Sequence, residues 1–126
     1  MNCSITNVIK KVNQAGWVCL NIDETCINGS IGCGGVIRGN EGEWLHGFSK
    51  FIGKGDAYIV ESWGVLEGIK LARRLNFTKV EVRRDSLGVV KDITNKKASQ
   101  MNGRALIGRI GQLMDHDWDV VVKHAY

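Results

Sequence analysis

Three of the acidic residues stand where a sheet and a helix would bring them together. Asp23 ends a stretch of alternating apolar residues, Asp85 ends a second one, and Glu61 lies near the start of a segment with helical spacing. If the two stretches are neighbouring strands that run in the same direction, both aspartates emerge at one edge of the sheet. That carboxyl edge is where ligands bind in open α/β sheets. Glu61 would then lean over the same edge from the helix.

A cluster of three carboxylates favours a bound cation, because the three negative charges otherwise repel one another. The set offers oxygen ligands only, with no histidine or cysteine, which favours a hard divalent ion such as Mg²⁺ or Mn²⁺. Two such ions, ~3.5–4 Å apart, are the usual device for phosphodiester hydrolysis, since one activates the attacking water and the other stabilises the leaving oxygen. Helix capping and simple solvation are the alternatives, because most acidic residues lie on the surface.

The elements that must position these acids can be predicted from the spacing of apolar residues. A period of two predicts strands, and apolar residues three and four apart predict helices. The predicted strands are residues 17–23, 32–38, 43–51, 79–85 and 117–126, and the predicted helices are residues 56–76, 86–94 and 104–114. Short turns make the first three strands an antiparallel meander, whereas the last two alternate with helices and should run parallel to the first. The predicted fold class is α/β, a mixed five-stranded sheet with helices on both faces.

The first predicted helix carries its own boundary and packing signals. Asp56 is a typical N-cap and Asn76 a typical stop. Gly64 and Gly68 lie four residues apart inside it, and each costs up to ~1 kcal/mol relative to alanine in a helix. We therefore expect another element to pack closely against these two glycines.

The composition is that of one folded domain. Among the 126 residues, 17 basic and 13 acidic side chains give a net charge of +4, which permits a polyanionic partner without requiring one. No apolar run approaches the ~18 residues of a membrane span, and the start of the chain lacks the order of a signal peptide, so no membrane partner is expected. Residues 1–15 are expected to be a partly disordered lead-in to a domain of residues 16–126.

The cysteines indicate the compartment. The four cysteines, at positions 3, 19, 26 and 33, include no CxxC pair and are too few for a secreted disulfide scaffold. We therefore expect free thiols in an intracellular, reducing compartment, with no distinction between cytoplasm and nucleus. A bridge between Cys19 and Cys33 is the alternative, because both fall on neighbouring predicted strands.

Segments spread over nearly the whole domain resemble one known family. They are WVCLNID, GCGGVIRGNEGEWLHGFSKFIG, VESWGVLEGIKLARRL, VEVRRDS with VVKDI, and DWDVVVKHAY. In this order and spacing, from Gly16 to Tyr126, they are similar to the ribonuclease H domain in the compact form common among plant retroelement-derived proteins. Each segment alone is a weak match, and together they are highly specific. The resemblance implies the order β-β-β-α-β-α-α-β, followed by one further helix.

The resemblance also implies an activity and a set of site residues. The family cleaves the RNA strand of RNA–DNA hybrids with two Mg²⁺ or Mn²⁺ ions and four acids. Asp23, Glu61 and Asp85 match three of these acids, as catalytic and metal-binding residues. His124 matches a histidine that assists proton transfer or product release.

Three features depart from the family pattern. The fourth acid is expected on the terminal helix, beyond Tyr126, so weak or no activity is expected from this C-terminally truncated form. Arg84 stands where the family has a small or polar residue, and it would compete with the cation for the neighbouring carboxylate. Glu24 stands where the family has glycine. It is expected to be a solvated turn residue, and an additional outer-sphere ligand is the alternative.

Polar and basic residues around the acids are candidates for nucleic-acid contacts. An RNA–DNA hybrid presents a wide, shallow minor groove lined by 2′-hydroxyl groups. The glycine-rich run from Gly29 to Gly35 would let the backbone approach that groove, with Asn28 and Ser30 bonding to 2′-hydroxyls; a plain hairpin is the alternative. The candidate phosphate contacts are Arg38, Lys91, Lys96 and Lys97. The lysines also suit the solvated end of a helix.

Three functions fit these observations. The first is a metal-dependent endonuclease for RNA–DNA hybrids, and the second is a non-catalytic nucleic-acid-binding module on the same fold. The third is an assembly role, in which a second copy or an additional chain covers the surface left by the missing terminal helix, because a large bare apolar surface is a liability in water. Metal dependence separates the first function from the other two.

Overall fold

The structure is a computed structural model that describes residues 16–84, 87–95, 97–98 and 100–124, without the side chains of residues 26, 27, 84, 87, 88 and 124. The strands are β1 (Trp17–Ile27), β2 (Ser30–Arg38), β3 (Trp44–Gly53), β4 (Lys79–Arg84) and β5 (Asp119–His124). The helices are α1 (Ala57–Arg74), α2 (Leu87–Asn95) and α3 (Arg104–Met114), with a 3₁₀ turn at Met101–Gly103. The predicted order of elements is confirmed.

The strands form one mixed sheet in the order β3-β2-β1-β4-β5. β2 pairs antiparallel with both β1 and β3, whereas β4 pairs parallel with both β1 and β5. This is the predicted arrangement, an antiparallel meander extended by two parallel strands. It places the ends of β1, β4 and β5 at one edge of the sheet, which we call the carboxyl edge.

The turn between β1 and β2 explains why β1 is longer than predicted. Asn28 and Gly29 have φ of 53° and 78°, the left-handed values that a two-residue type I′ turn requires and that Asn-Gly adopts readily. Pairing therefore continues beyond Asp23 to the pair Ile27–Ser30. Glu24 is consequently a half-buried strand residue, and the expectation that it lies in a solvated turn is wrong.

The ends of α1 lie close to where the sequence predicts them. The side chain of Asp56 accepts a hydrogen bond from the backbone N–H of Ile59 at 3.0 Å, so Asp56 is the N-cap. Beyond the other end, Asn76 has a φ of 65°, a left-handed conformation that commonly follows a helix.

The two glycines of α1 let the helix approach β1 closely. A Cβ atom on Gly64 would lie 2.5 Å from Cγ2 of Ile22, and one on Gly68 would lie 2.5 Å from Cδ2 of Leu20. Neither position has room for a side chain without movement of the strand residue beneath it. The prediction that another element packs closely against these glycines is confirmed.

Gly64→Ala is expected to lower the free energy of unfolding by about 1–3 kcal/mol, because the added methyl group overpacks the contact with Ile22. Gly108→Ala in α3 is the matched control. At Gly108 a Cβ atom would meet nothing within 4 Å, so alanine should stabilise the helix by about 0.5–1 kcal/mol. Urea unfolding measures both changes, and a Gly64→Ala variant as stable as the Gly108→Ala variant would contradict the close packing.

All three described helices pack on one face of the sheet, which we call the helix face. Apolar side chains of that face and of the helices form one core, which includes Val18, Leu20, Ile22, Val80, Val82, Val65, Leu66, Ile69, Val89, Ile93, Leu106, Ile107 and Ile110. The chain crosses the sheet twice in the same direction, from β3 through α1 to β4 and from β4 through α2 and α3 to β5. Because such crossovers are right-handed, both put their helices on the same side. The expectation of helices on both faces is therefore met on one face only within the described residues.

The opposite face of β1 and β4, which we call the second face, carries Trp17, Cys19, Glu81 and Arg83. In the parallel register Cys19 pairs with Glu81, and Asn21 pairs with Arg83. Glu81 is 1% exposed and Arg83 is 6% exposed. Nε of Arg83 and Oε2 of Glu81 are 3.0 Å apart, so the two charges form a buried ion pair.

The cysteines differ from the expectation of free thiols. Cys33 is free and buried, but Cys19 is disulfide-bonded, so the expectation is wrong for Cys19. The alternative of a bridge between these two residues is also wrong, because Cys33 is free. Cys19 lies on the second face, whereas the Cβ atom of Cys33 lies against α1 on the helix face.

Candidate metal and nucleic-acid site

The packing of α1 on β1 sets the height of each helix residue along the strand. Gly64 lies over Ile22, and Gly68 lies over Leu20, so α1 and β1 run in opposite directions. Four helix residues rise ~6 Å and two strand residues rise ~6.6 Å, so the two elements advance at nearly the same rate. A helix residue three positions before Gly64 therefore lies ~4.5 Å nearer the carboxyl edge than Gly64.

This residue is Glu61, which stands at the level of Asp23 and Glu24. A cleft between the start of α1 and the end of β1 supports this placement of α1 along β1, because the cleft is lined by Ala57 and Val60 together with Glu24. Glu61 is only 7% exposed, so its carboxylate is held in the body of the protein. The structure thus places a buried acid at the height of the first predicted strand acid.

Asp23 stands just beyond the point where β1 and β4 separate. The parallel pairing of these strands ends at Asn21 and Arg83, and on its other side Asp23 pairs with Gly34 of β2, which has no side chain. Oδ1 of Asp23 accepts a hydrogen bond from the backbone N–H of Glu24 at 2.9 Å. The carboxylate is therefore exposed, oriented and open to approach from solvent.

The third acid, Asp85, lies outside the described residues. β4 ends at the preceding residue, Arg84, whose side chain is not described. Two positions before Asp85, Arg83 pairs with Asn21, which is itself two positions before Asp23. The role of Asp85, and the competition expected from Arg84, stay predictions.

His124 is the last residue of β5, and its backbone pairs with Arg84 at the end of β4. Because β1, β4 and β5 are parallel, this pairing places His124 at the carboxyl edge. Its side chain is not among those described, so its role in proton transfer or product release stays a prediction.

The donors at this edge have the chemistry that a hard divalent cation prefers. Asp23 and Glu61 offer carboxylate oxygens, the usual ligands of Mg²⁺ in proteins. Within the described residues, however, no group of three His, Cys, Asp or Glu side chains is placed to hold a metal ion. The complete ligand set, with Asp85 as its third member, is therefore a prediction.

The predicted nucleic-acid contacts fall at different ends of the sheet. Asn28 and Ser30 are exposed at the tip of the β1–β2 hairpin, which continues past Asp23. Arg38 lies at the other end of β2, four residues from the partner of Asp23, or ~13 Å along the strand. Its Nη1 donates a hydrogen bond to the carbonyl of Gly42 at 3.3 Å, so it holds the β2–β3 turn at the end of β2 away from the carboxyl edge.

The predicted lysine contacts lie on and after α2. Lys91 and Lys97 are exposed, whereas Lys96 lies outside the described residues. α2 begins at Leu87, shortly after β4 ends at Arg84, so its first turn starts close to the carboxyl edge.

A groove that the sequence patterns did not predict lies on the face of the β1–β2 hairpin that carries Asp23. The groove has a volume of about 560 Å³, and its lining includes Gly32, Gly34 and Phe51 as well as Asp23 and Arg38. Phe51 is 74% exposed. Two glycines at alternate positions of a strand leave one of its faces without side chains, and this spacing is the signal that could have revealed the groove.

Comparisons with known proteins agree with this architecture. Residues 21–126 match the reverse transcriptase-like family model. The chain is 31% identical over 113 residues to a curated protein of Arabidopsis thaliana named "Putative ribonuclease H protein", covering 88% of this chain and 18% of that protein. Ribonuclease H1 of Halobacterium salinarum superposes with a TM-score of 0.77 at 20% identity, over 86% of this chain and 85% of the other. LC11 ribonuclease H1, solved in complex with an RNA/DNA hybrid, superposes with a TM-score of 0.76 at 20% identity, over 86% of this chain and 84% of the other.

The chain therefore belongs to the reverse transcriptase-like family and is a ribonuclease H-like domain. It spans 18% of the length of the curated relative. None of the described helices is long and apolar enough to cross a membrane.

Proposed function

We propose that this chain is a metal-dependent endonuclease that hydrolyses the RNA strand of RNA–DNA hybrids. The observation that carries the proposal is the position of Glu61. This buried residue lies at the same point along the β1 axis as Asp23, at the edge of the sheet where β4 ends and Asp85 follows in the sequence. Membership of a family of ribonuclease H-like domains supports it, as does a structural neighbour that was solved with an RNA/DNA hybrid.

Each acid has a distinct part in the proposed site. Asp23, Glu61 and Asp85 would hold the Mg²⁺ or Mn²⁺ ions, which when bound supply an activated water and stabilise the leaving 3′ oxygen. The backbone N–H of Glu24 fixes the orientation of the Asp23 carboxylate, and Glu61 is buried. His124 would exchange a proton with the product at the end of β5.

The hybrid would lie across the carboxyl edge and the hairpin tip. Asn28 and Ser30 would bond to 2′-hydroxyl groups in the shallow minor groove, which distinguishes the RNA strand from the DNA strand. Lys91, Lys96 and Lys97 would contact phosphates beside α2. Arg38, on the opposite end of β2, would reach only a phosphate distant from the scissile one.

The direct test is cleavage of an end-labelled RNA–DNA hybrid by the 126-residue chain, beside RNA–RNA and DNA–DNA duplexes of the same sequence. We expect at most weak cleavage, confined to the RNA strand of the hybrid, dependent on Mg²⁺ and stopped by EDTA. Hybrid binding without cleavage would favour a non-catalytic binding module instead. Cleavage in EDTA, or equal cleavage of the DNA duplex, would contradict the proposed chemistry.

The double variant Lys91→Ala/Lys97→Ala is expected to weaken hybrid binding and to flatten its salt dependence. Each phosphate contact contributes about −0.9 to the slope of log K against log salt, so the slope should fall by about 1–2. Lys70→Ala is the control, since Lys70 lies on the outer side of α1 and pairs with Glu67 at 3.5 Å. A wild-type slope in the double variant would remove these lysines from the interface.

A further inference from the structure

One edge of the sheet is long, apolar and open. β3 is an outermost strand, and among the described residues it pairs with β2 alone. None of its ten residues is buried, and Trp44, Leu45 and Phe51 are 62%, 37% and 74% exposed. The backbone N–H and C=O groups on the free side of such a strand can pair with another chain. We call this side of β3 the outer edge.

β3 lacks most of the features that commonly protect an edge strand. Such strands are usually short, or they carry charged residues, proline or bulges. β3 contains no proline, no acid and no arginine, and its one lysine is Lys50. The two irregularities in its pairing with β2 lie near its ends, which leaves residues 46–51 regular. β5, on the opposite side of the sheet, is a protected strand by comparison, because it has six residues and carries Asp119 and Lys123.

The single lysine of β3 is engaged by the chain's own helix. Nζ of Lys50 lies 4.9 Å from the centroid of the Trp63 ring on α1, within the range of a cation–π contact. Because α1 packs on the helix face, the ammonium group is held on that face and not beside the outer edge. The charge that would oppose an approaching strand is therefore turned away from it.

The order of side chains along β3 suits pairing with itself. In an antiparallel pair, directly opposite residues lie on the same face and contact one another. If Phe48 faces Phe48 of a second copy, Leu45 of each copy faces Phe51 of the other. This register sets exposed apolar residues opposite each other on both sides of the centre, and it keeps the two copies of Lys50 four positions, ~13 Å, apart. A second copy thus meets an apolar strand without charge repulsion.

The exposed area is large enough for a specific contact. A covered Trp or Phe ring buries about 150–250 Å². Covering the exposed parts of Trp44 and Phe51 in two copies therefore removes roughly 400–700 Å² from water. The paired backbones of two ten-residue strands bring the total close to the ~1,000 Å² expected of a biological interface.

We propose that the outer edge of β3 is a dimer interface, at which β3 pairs antiparallel with β3 of a second copy. A two-fold axis at Phe48 relates the copies, and the same surface is used on both sides, as in most homodimers. The two five-stranded sheets join into one, so each copy covers the open edge of the other. This inference is independent of the proposed nuclease activity.

Sedimentation equilibrium of the 126-residue chain tests the dimer. We expect a reversible monomer–dimer equilibrium with a dissociation constant of about 1–100 μM, in keeping with a small interface, and the same equilibrium in dithiothreitol. A chain that stays monomeric over this concentration range, or one that forms open-ended assemblies, would overturn the proposal. A dimer that dissociates on reduction would also overturn it, because an intermolecular disulfide would then account for the association.

Exchanged charges test the register. Leu45→Glu and Phe51→Lys should each raise the dissociation constant at least ~10-fold, because a charge is then desolvated against an apolar side chain. The double variant sets a carboxylate opposite an ammonium group at both contacts, so most of the affinity should return. Met101→Lys is the matched control, since Met101 is 81% exposed outside β3, and it should dimerise like wild type. Unchanged dimerisation of either single variant, or no recovery in the double variant, would overturn the pairing.

Hydrogen exchange distinguishes pairing along the edge from a contact between sheet faces. It is measured at protein concentrations below and above the dissociation constant. Exchange of the outward-pointing β3 amides should slow at the higher concentration, because these amides gain hydrogen-bond partners, while the β5 amides exchange at the same rate at both. A dimer whose β3 amides show no such change would mean that the backbone of β3 is not part of the interface, against the proposal.

Discussion

Asp23→Asn is expected to abolish Mg²⁺-dependent cleavage of an RNA–DNA hybrid. The substitution keeps the size of the side chain, and its amide oxygen can still accept the backbone N–H of Glu24 that Oδ1 of Asp23 accepts at 2.9 Å. Only the negative charge is lost, and with it the affinity for the cation. The loss of one ligand costs several kcal/mol and each 1.36 kcal/mol is tenfold in rate, so kcat should fall about 10³-fold or more.

The fold and hybrid binding provide the controls for this variant. Asp23 is exposed, so the unfolding free energy should change little, and binding of the hybrid in EDTA should stay close to wild type. Glu41→Gln removes a charge from an exposed acid in the β2–β3 turn, at the far end of the sheet, and should leave kcat unchanged. Substantial cleavage by Asp23→Asn would remove Asp23 from the proposed site.

Glu81→Leu is expected to lower the free energy of unfolding by about 3–5 kcal/mol, because it leaves Arg83 as a buried charge without its partner. In the wild-type protein Nε of Arg83 lies 3.0 Å from Oε2 of Glu81, and both residues are almost fully buried. Urea unfolding measures the loss. The expected loss comes from the unpaired charge of Arg83 rather than from the net stabilisation that the ion pair contributes in the wild-type protein.

The double variant Glu81→Leu/Arg83→Met distinguishes these two explanations. Replacing both partners by apolar residues of similar size is often neutral or stabilising, so most of the lost stability should return. A double variant as unstable as Glu81→Leu alone would show that packing or another contact of Glu81, rather than the unpaired charge, causes the loss.

The features that could be predicted from sequence are those set by local spacing. Apolar periodicity predicted α3 with the bounds Arg104–Met114 that the structure has, and Asp56 was predicted as the N-cap that it is. Gly64 and Gly68 indicated a close contact, since glycine in a helix is otherwise costly. β1 was predicted too short because the polar residues after Asp23 hid the pairing that the Asn28-Gly29 turn extends.

The features that could not be predicted depend on what lies across the sheet. The burial of Glu81 and Arg83 and the disulfide of Cys19 are tertiary features, which no single strand pattern reveals. The position of Asp23 near the end of a parallel strand could be predicted, because parallel strands deliver their ends to one edge. The metal-binding role of the acids stays a prediction. Arg38 ends an antiparallel strand that runs away from that edge, yet it lines the same groove as Asp23, and its contact with nucleic acid stays a prediction.

Mn²⁺ binding to the 126-residue chain tests most directly whether the carboxyl edge chelates divalent cations. Electron paramagnetic resonance of free Mn²⁺ gives the affinity without reference to cleavage. The structure predicts saturable binding by wild type and by Glu41→Gln, with affinity at least ~10-fold lower, a loss of at least 1.4 kcal/mol, in both Asp23→Asn and Glu61→Gln. Equal affinity in all four proteins would contradict a metal site built from Asp23 and Glu61.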